Sequence, residues 1–180
     1  MVIDVLGLLS GDVRARSKAL LRLVKKPNSI PTPLIGYVVK HDPSDEVACV
    51  AAFLLRFAGK RRARETVIEL LRSELAPERL YSVLNSVRYW KEPSIIPALV
   101  RLSDSPAYPI RLLALLLLAK YGEQRQYVMT RLMSFRESIS NSPPFTQAAH
   151  AFCPAPVFRS TDEAVRLAET KLEQLLKARH

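Results

Sequence analysis

The sequence predicts an all-helical protein, namely a right-handed α-solenoid of about four helix pairs with a C-terminal capping helix. One supporting observation is a recurring pattern of turn residues followed by apolar residues spaced four apart, because that spacing places side chains on one helix face. Five glycines and 7% aromatic residues also suit helices better than a β-sandwich or barrel. Finally, the apolar block from Leu112 to Ala119 is too short to cross a membrane, which takes about 20 residues, so protein must cover it.

The repeated pattern predicts four units, each made of two helices. The leading apolar residues of the units, at intervals of 34, 33 and 30 residues, are Val13, Val47, Leu80 and Ile110. A period of this size is typical of stacked helical hairpins, in which each pair buries its apolar face against the next. A second apolar segment, also expected to be helical, completes each unit, and these segments are 29–40, 62–75, 92–104 and 125–135.

The turn segments carry a resemblance to a known family. Three of them, Asp12-Val13-Arg14, 42–47 and 106–111, join turn residues to an apolar residue, and two second helices open on Ile-Pro pairs at 30–31 and 96–97. Because of these turn segments and Ile-Pro pairs, the stretch 10–136 resembles HEAT-like repeat proteins of the type named after the phycobilisome lyases. The resemblance implies an armadillo-type α-solenoid fold. It also implies, as one alternative, an accessory lyase or chaperone role.

The predicted domain organisation is a HEAT-like solenoid over 1–136, a packed linker over 137–159 and an amphipathic capping helix over 160–180. The linker contains four prolines, which disfavour a long helix, and three phenylalanines, which disfavour a free linker. The final helix starts with a capping box from Ser160 to Glu163. We expect the linker and this helix to cover the fourth repeat. The alternative is that this face meets a second copy or a partner helix, so the protein is a monomer or a dimer through the fourth repeat and C-terminal helix.

Composition indicates a basic protein of the cytoplasm. The net charge of +10 and a sequence pI near 9.9 suit an anionic partner such as nucleic acid or an acidic protein. The N-terminal stretch lacks a basic region before its short apolar run, so it does not resemble a signal peptide. We therefore expect no membrane partner. The two cysteines, Cys49 and Cys153, imply no disulfide framework and fit a reducing compartment.

The sequence argues against an enzyme. The three histidines, His41, His150 and His180, do not pair with acids at helical spacing, and the His-Glu dipeptide of HEAT-like hydroxylases does not occur. His150 and Cys153 have the spacing of half a zinc site, but no second pair stands near them, so we expect no metal and no cofactor. The single tryptophan, Trp90, is too little to imply the activity of HEAT-like proteins that excise alkylated bases, and we expect it to pack against the next repeat.

The charges predict a basic edge and an acidic edge. Loops within each helix pair are basic, and the predicted basic edge consists of Lys25, Lys26, Lys60, Arg61, Arg62, Arg64, Lys91, Lys120 and Arg125. Loops that join one pair to the next carry acids, among them Asp12 and Asp104, which are also expected to cap the helices that follow. Charge complementarity to helix macrodipoles can produce such a layout. A solvated edge and a binding edge therefore both remain open, although four cations within 60–64 exceed what a dipole needs.

The second helices are expected to line a concave face. Their cations, predicted to contact a partner, are Lys40, Arg72, Arg101, Arg131 and Arg136. The predicted function is a non-enzymatic protein-binding or scaffold module that docks an acidic partner on the concave face and the basic edge. One alternative is a nucleic-acid-binding protein that contacts phosphates with the same cations. The other is the accessory lyase or chaperone subunit.

Overall fold

Helices account for most of the residues that the structure describes. The computed structural model describes residues 5–139 and 160–178, and no residue in these ranges lies in a strand. The helices are α1 (Val5–Leu8), α2 (Val13–Arg22), α3 (Thr32–His41), α4 (Asp45–Ala58), α5 (Lys60–Arg72), α6 (Pro77–Ser86), α7 (Ile96–Leu102), α8 (Tyr108–Leu118), α9 (Arg125–Met133), α10 (Phe135–Ile139) and α11 (Thr161–Lys177). Short 3-10 turns are Leu23–Lys25, Pro27–Ser29, Pro93–Ile95 and Gly122–Gln124. The predicted all-helical class is confirmed for the described residues.

The contacts divide the chain into two compact units. In its described part, unit 1 runs to Trp90, and unit 2 begins at Lys91 and includes α11. The predicted boundaries lay instead after residues 136 and 159. Apart from the end of α10, the predicted linker over 137–159 lies outside the described residues. Each unit is built around one apolar helix, α4 in unit 1 and α8 in unit 2.

Helix α4 forms the centre of unit 1. Val47, Ala51 and Leu55, predicted to share one face, are fully buried, and so are Val50 and Leu54 on its other sides. The helix is buried on several sides because it packs against α2, α3 and α6. Helix α5 in turn packs against α3, α4 and α6. Helices α2, α4 and α6 thus form one row, and α3 and α5 form a second row beside it.

A glycine permits the close approach of α3 and α5. A Cβ atom on Gly36 would lie 2.6 Å from Cγ2 of Thr66, which is much closer than van der Waals contact allows. Thr66 is buried, and its β-branched side chain is stiff at χ1, so the methyl group has little freedom to move away. Helix α3 therefore has a residue of low helix propensity at a position where packing excludes any side chain.

We expect Gly36→Ala to lower the free energy of unfolding by about 1–3 kcal/mol, because overpacking outweighs a gain of about 1 kcal/mol in helix propensity. Thr66→Ser removes Cγ2 but keeps the hydroxyl group. In that background Gly36→Ala should be neutral or stabilising. Urea unfolding of the four proteins in this double-mutant cycle measures both effects. If Gly36→Ala lowered the free energy of unfolding equally in wild type and in the Thr66→Ser variant, the packing explanation would be contradicted.

Two arginines from neighbouring helices hold the turn between α3 and α4. Arg16 on α2 forms a bidentate ion pair with Asp42, with Nε–Oδ2 at 3.0 Å and Nη2–Oδ1 at 3.1 Å. The two side chains are only 9% and 8% exposed. Arg79 on α6 donates to the carbonyl oxygens of Val39 at 3.0 Å, Lys40 at 3.2 Å and Asp42 at 2.8 Å. The carbonyl groups at the end of α3, which lack partners inside the helix, are thereby satisfied.

Helix α8 forms the centre of unit 2. Five of its leucines are at most 2% exposed, and these are Leu112, Leu113, Leu115, Leu117 and Leu118. Helices α7, α9 and α11 all pack against α8. The contact that the sequence predicts between this apolar stretch and the terminal helix is therefore present.

Both ends of α11 are held by hydrogen bonds. Ser160 Oγ accepts the backbone N–H of Glu163 at 3.1 Å, as the capping box predicts. At the other end, Arg125 of α9 donates to the carbonyl of Leu175 and, at 3.3 Å, to that of Ala178. The buried residues of the predicted stripe are Ala164, Ala168 and Leu175. Local capping thus starts the helix, and a side chain from α9 fixes its end.

A buried tyrosine joins the turn after α8 to the segment before α7. Tyr121 Oη accepts the N–H of Glu92 at 2.8 Å and donates to the carbonyl of the same residue at 2.9 Å. Burial raises the pKa of Tyr121 above its ordinary value of 10.0. The hydrogen bond that the Glu92 backbone N–H donates to Oη opposes this rise, because it stabilises the phenolate, and the Glu92 charge adds to the rise.

We expect Tyr121→Phe to lower the free energy of unfolding by about 1–2 kcal/mol at neutral pH, because the Glu92 N–H loses its partner. Since the folded-state pKa of Tyr121 is raised, its contribution is complete below the unfolded-state pKa near 10 and is lost as pH rises above that value. The stability difference between wild type and Tyr121→Phe should therefore narrow above about pH 10. Urea unfolding of both proteins across this pH range measures the difference in their free energies of unfolding. A difference that stays constant with pH would contradict the pKa shift.

Candidate binding edge

Cations from two distant stretches of unit 1 share one surface. We call Lys25, Lys26, Lys60, Arg61, Arg62 and Arg64 the basic cluster, and all six are exposed. Arg62 Nη2 donates to the Pro27 carbonyl at 2.7 Å, and Nη1 donates to the Asn28 carbonyl. Thr32 Oγ1 donates to the Arg62 carbonyl at 3.1 Å. These bonds place the segment after α2 against the start of α5.

All four cations within 60–64 lie in a helix, so their assignment to a loop is wrong, although the helical segment predicted over 62–75 already includes Arg62 and Arg64. Ala58 ends α4 and Lys60 begins α5, so Gly59 alone connects the two helices. Its φ of +80° lies in the region that favours glycine, so the chain reverses without a longer loop. The cations within 60–64 consequently occupy the first turns of α5.

The start of α5 is electrostatically unfavourable for cations. Its first turn contains no acidic residue, and this end of the helix is the positive end of the macrodipole. Each cation in that turn opposes the dipole, at a cost of about 0.3–1 kcal/mol when exposed. Complementarity to the dipole, which explains basic residues at helix C-termini, therefore does not explain these four.

Acids in the turns that join one helix pair to the next are engaged within their own unit. Asp42 pairs with Arg16, as described above. Asp45 Oδ1 lies 2.6 Å from Nε of Arg79, and Asp104 Oδ1 lies 2.7 Å from Nη2 of Arg131. These ion pairs offset much of the acidic edge internally, whereas the basic cluster keeps its charge at the surface.

Two of the predicted acidic caps, Asp12 and Asp104, have different outcomes. Asp12 caps α2, because its carboxylate accepts the N–H groups of Arg14 at 3.0 Å and Ala15 at 3.2 Å. The cap predicted at Asp104 is wrong. Helix α8 has Ala107 at its N-cap position, with no side-chain cap, and Asp104 pairs with Arg131 of α9 instead.

The predicted edge residues of unit 2 divide into two kinds. Lys91 and Lys120 are exposed, and the hydrogen bonds between their sequence neighbours Glu92 and Tyr121 bring them near each other. Arg125 is half-buried and donates to the end of α11. Arg125 therefore stabilises unit 2 and is withdrawn from the candidate site.

In unit 1, the cations predicted on the concave face lie close to acidic side chains. Lys40 Nζ lies 2.5 Å from Glu69 Oε1. A groove of about 380 Å³ beside α3 and α5 contains Lys40 together with Glu65 and Glu69. A second groove of about 370 Å³ on α5 contains Arg72 with the same two acids. This part of the face therefore has mixed charge.

The remaining cations of the predicted concave face lie in unit 2. Arg131 is exposed, and its guanidinium group lies 5.4 Å from the centroid of the Tyr127 ring while it pairs with Asp104. Arg101 is exposed on α7. Arg136 lies on α10, and its side chain is outside the described part of the chain. This set has fewer exposed cations close together than the basic cluster.

The sequence patterns did not reveal an aromatic group at the ends of α4 and α6. Tyr89 is 61% exposed, and Cζ of Arg56 and Cζ of Arg88 lie 4.5 Å and 4.9 Å from its ring centroid. We call these three residues the Tyr89 cluster. Its only sequence signal was the Tyr89–Trp90 pair, of which Trp90 is buried. The pairing with Arg56 depends on α4 and α6 packing together.

Within the described ranges, no three or more His, Cys, Asp or Glu side chains are placed to hold a metal ion. The His41 ring lies against the Tyr37 ring with 4.6 Å between centroids and a tilt of 41°, and Cys49 is buried with Sγ 3.7 Å from the Glu78 carbonyl oxygen. No helix in that part of the chain is both long enough and apolar enough to span a membrane. The residues considered for half a zinc site, His150 and Cys153, and the third histidine, His180, lie outside the described residues.

Comparison with family models, with curated proteins and with solved structures gives no match to this chain. The HEAT-like resemblance therefore stays a prediction. The basic cluster and the residues that surround it form the candidate functional surface.

Arg61 and Arg62 should respond oppositely to neutralisation. Arg61→Gln is expected to leave the free energy of unfolding unchanged or to raise it by up to about 0.5 kcal/mol, because a cation is removed from the positive end of α5. Arg62→Gln should lower it by about 1 kcal/mol, because two carbonyl groups lose their donor. Urea unfolding at low salt compares the two variants. If Arg61→Gln lowered the free energy of unfolding as much as Arg62→Gln does, Arg61 would also support the fold.

Proposed function

We propose that this chain is a non-enzymatic binding module that docks an acidic protein partner on its basic cluster. The observation that carries the proposal is the set of cations at the start of α5, because Lys60, Arg61 and Arg62 lie in the first turn, where the helix macrodipole disfavours cations, and Arg64 follows closely. Residues that oppose local stability are typical of functional surfaces. Guanidinium groups such as those of Arg61 and Arg64 bind carboxylates through paired, charge-assisted hydrogen bonds, which suits an acidic partner.

The scaffold we propose for this surface is the right-handed solenoid of about four HEAT-like helix pairs. The two rows of helices in unit 1 support it, as does the packing of α8 against α7 and α9 in unit 2. The cytoplasmic location, the accessory lyase or chaperone role, and the choice between monomer and dimer stay predictions. The concave face contributes less to the proposal, because Glu65 and Glu69 accompany its cations in unit 1.

Nucleic acid is the second candidate partner. The observation that favours it is the excess of arginine over lysine at the start of α5, because guanidinium groups suit phosphate as well as carboxylate. A net charge of +10 also favours association with a polyanion. Binding to phosphates would weaken steeply with salt as counterions are released.

Charge reversal of Arg61 and Arg64 to Glu is expected to remove at least about 90% of partner capture at low salt, because carboxylates would repel these positions. The measurement is affinity capture from lysate with and without nuclease, with captured proteins quantified by mass spectrometry. Arg166→Glu with Lys177→Glu, two exposed positions on α11, is the matched control of equal charge change.

Two results would count against the protein-binding proposal. Equal recovery of the same proteins with wild type and with the Arg61/Arg64 variant would remove the basic cluster from the function. Loss of all captured proteins after nuclease treatment would favour the second candidate, nucleic acid.

A further inference from the structure

The basic surface of unit 1 continues beyond the basic cluster. Arg56 lies in the last turn of α4, close in sequence to Lys60, and Tyr89 brings Arg88 to the same place from the end of α6. The three stretches that meet here, 22–30, 56–65 and 86–90, contain nine lysines and arginines and one acid, Glu65. Because α4 packs against both α2 and α6, the cations form a strip across the ends of three neighbouring helices.

The Tyr89 cluster gathers two like charges on one exposed ring. The ring face attracts a guanidinium group, which offsets part of the repulsion between Arg56 and Arg88. Tyr89 thus orients the exposed Arg56 and the half-buried Arg88 while remaining 61% exposed itself. Such an arrangement contributes little to a buried core and presents guanidinium donors to an anion in solution.

We propose that this strip binds an extended acidic segment of a partner protein, with the Tyr89 cluster as a second anchor beside the basic cluster. The inference rests on the proposed function and adds that the bound part of the partner is an extended segment. Adjacent packed helices lie about 8–10 Å apart, so three of them span about 16–20 Å. An extended peptide covers that distance in about six residues and presents every second side chain to one face. Carboxylates at alternate positions would match the spread of the arginines.

The exposed rings on the strip favour a polypeptide over a single-stranded nucleic acid. Non-specific binding of single strands relies on bases stacking on aromatic faces. Two guanidinium groups already lie over the Tyr89 ring. The other exposed ring, Phe57, packs edge-to-face with Phe53 at 4.9 Å between centroids. The strip therefore offers guanidinium donors that can bind oxyanions, together with apolar ring edges. It leaves little aromatic ring face on which a base could stack.

The test is fluorescence anisotropy with a labelled peptide of about twelve residues that alternates Glu and Ser. The matching peptide with Gln in place of Glu and an oligothymidylate of about the same length are measured beside it. The protein forms are wild type, Arg56→Gln with Arg88→Gln, Tyr89→Phe, Tyr89→Ala, and Arg61→Gln with Arg64→Gln. Arg166→Gln with Lys177→Gln is the charge-matched control, and urea unfolding of each form verifies that it folds.

We expect Arg56→Gln with Arg88→Gln to weaken binding of the Glu peptide at least about tenfold, while the α11 control stays within about twofold of wild type. Tyr89→Ala should weaken it about threefold to fivefold, and Tyr89→Phe should not, because the ring alone orients the arginines. The Gln peptide should bind at least about tenfold more weakly than the Glu peptide.

Three results would overturn the inference, and they differ in whether the proposed function also fails. Loss of binding in the Arg61/Arg64 form with full binding in the Arg56/Arg88 form would confine the site to the basic cluster, and the proposed function would survive. Equal binding of the Glu peptide by wild type and by both double variants would remove the proposed function as well. Tighter binding of oligothymidylate than of the Glu peptide at the same salt would assign the strip to nucleic acid.

Discussion

Arginine side chains that donate to backbone carbonyl groups hold the turns and helix ends of both units. In the described part of the chain, arginines that do so include Arg16, Arg62, Arg79, Arg111 and Arg125. Carbonyl groups at helix ends and in tight turns lack partners of their own, and leaving them buried and unpaired is costly. The planar guanidinium group reaches several such groups at once. These contacts position the short connections between helices, and the candidate binding surface lies on one of those connections.

This structural use of arginine changes what the net charge means. The chain has 27 lysines and arginines against 17 acids, but several of these cations complete the fold rather than face a partner. Arg111 is an example, since its Nη1 donates to the Ser105 carbonyl at 2.8 Å. Burial lowers the pKa of Arg111, and the Asp104 charge opposes that change. The charge available for binding is therefore smaller than +10 suggests and is concentrated where acids are few.

The location of the basic cluster connects stability with function. A helix beginning at Lys60, without an acid in its first turn, is less stable than one with acids there. Turn acids such as Asp42 and Asp45 are paired with arginines of neighbouring helices and offer little to offset this charge. An incoming anion would interact favourably with both the cationic side chains and the positive end of the α5 macrodipole. The same feature thus weakens the isolated fold and, under the proposed function, would strengthen binding.

Local signals were sufficient for the helices. Periodic apolar residues such as Val47, Ala51 and Leu55 are buried as their spacing predicts, and Asp12 and Ser160 cap the helices that they precede. These signals involve residues within one or two helical turns, so they can be recognised in the sequence. The core of each unit was predictable for the same reason.

The sequence by itself determined the helical class, most of the helix positions and the presence of excess basic charge. The tertiary structure alone decided which cations remain available. Arg125 turned out to hold α11, Arg62 to hold the segment after α2, and Arg56 to meet Tyr89. These partners are more than 30 residues apart in each case, and helix periodicity carries no information about contacts at such separations. The long, flexible arginine side chain reaches whichever carbonyl group or ring the packing of helices brings near it.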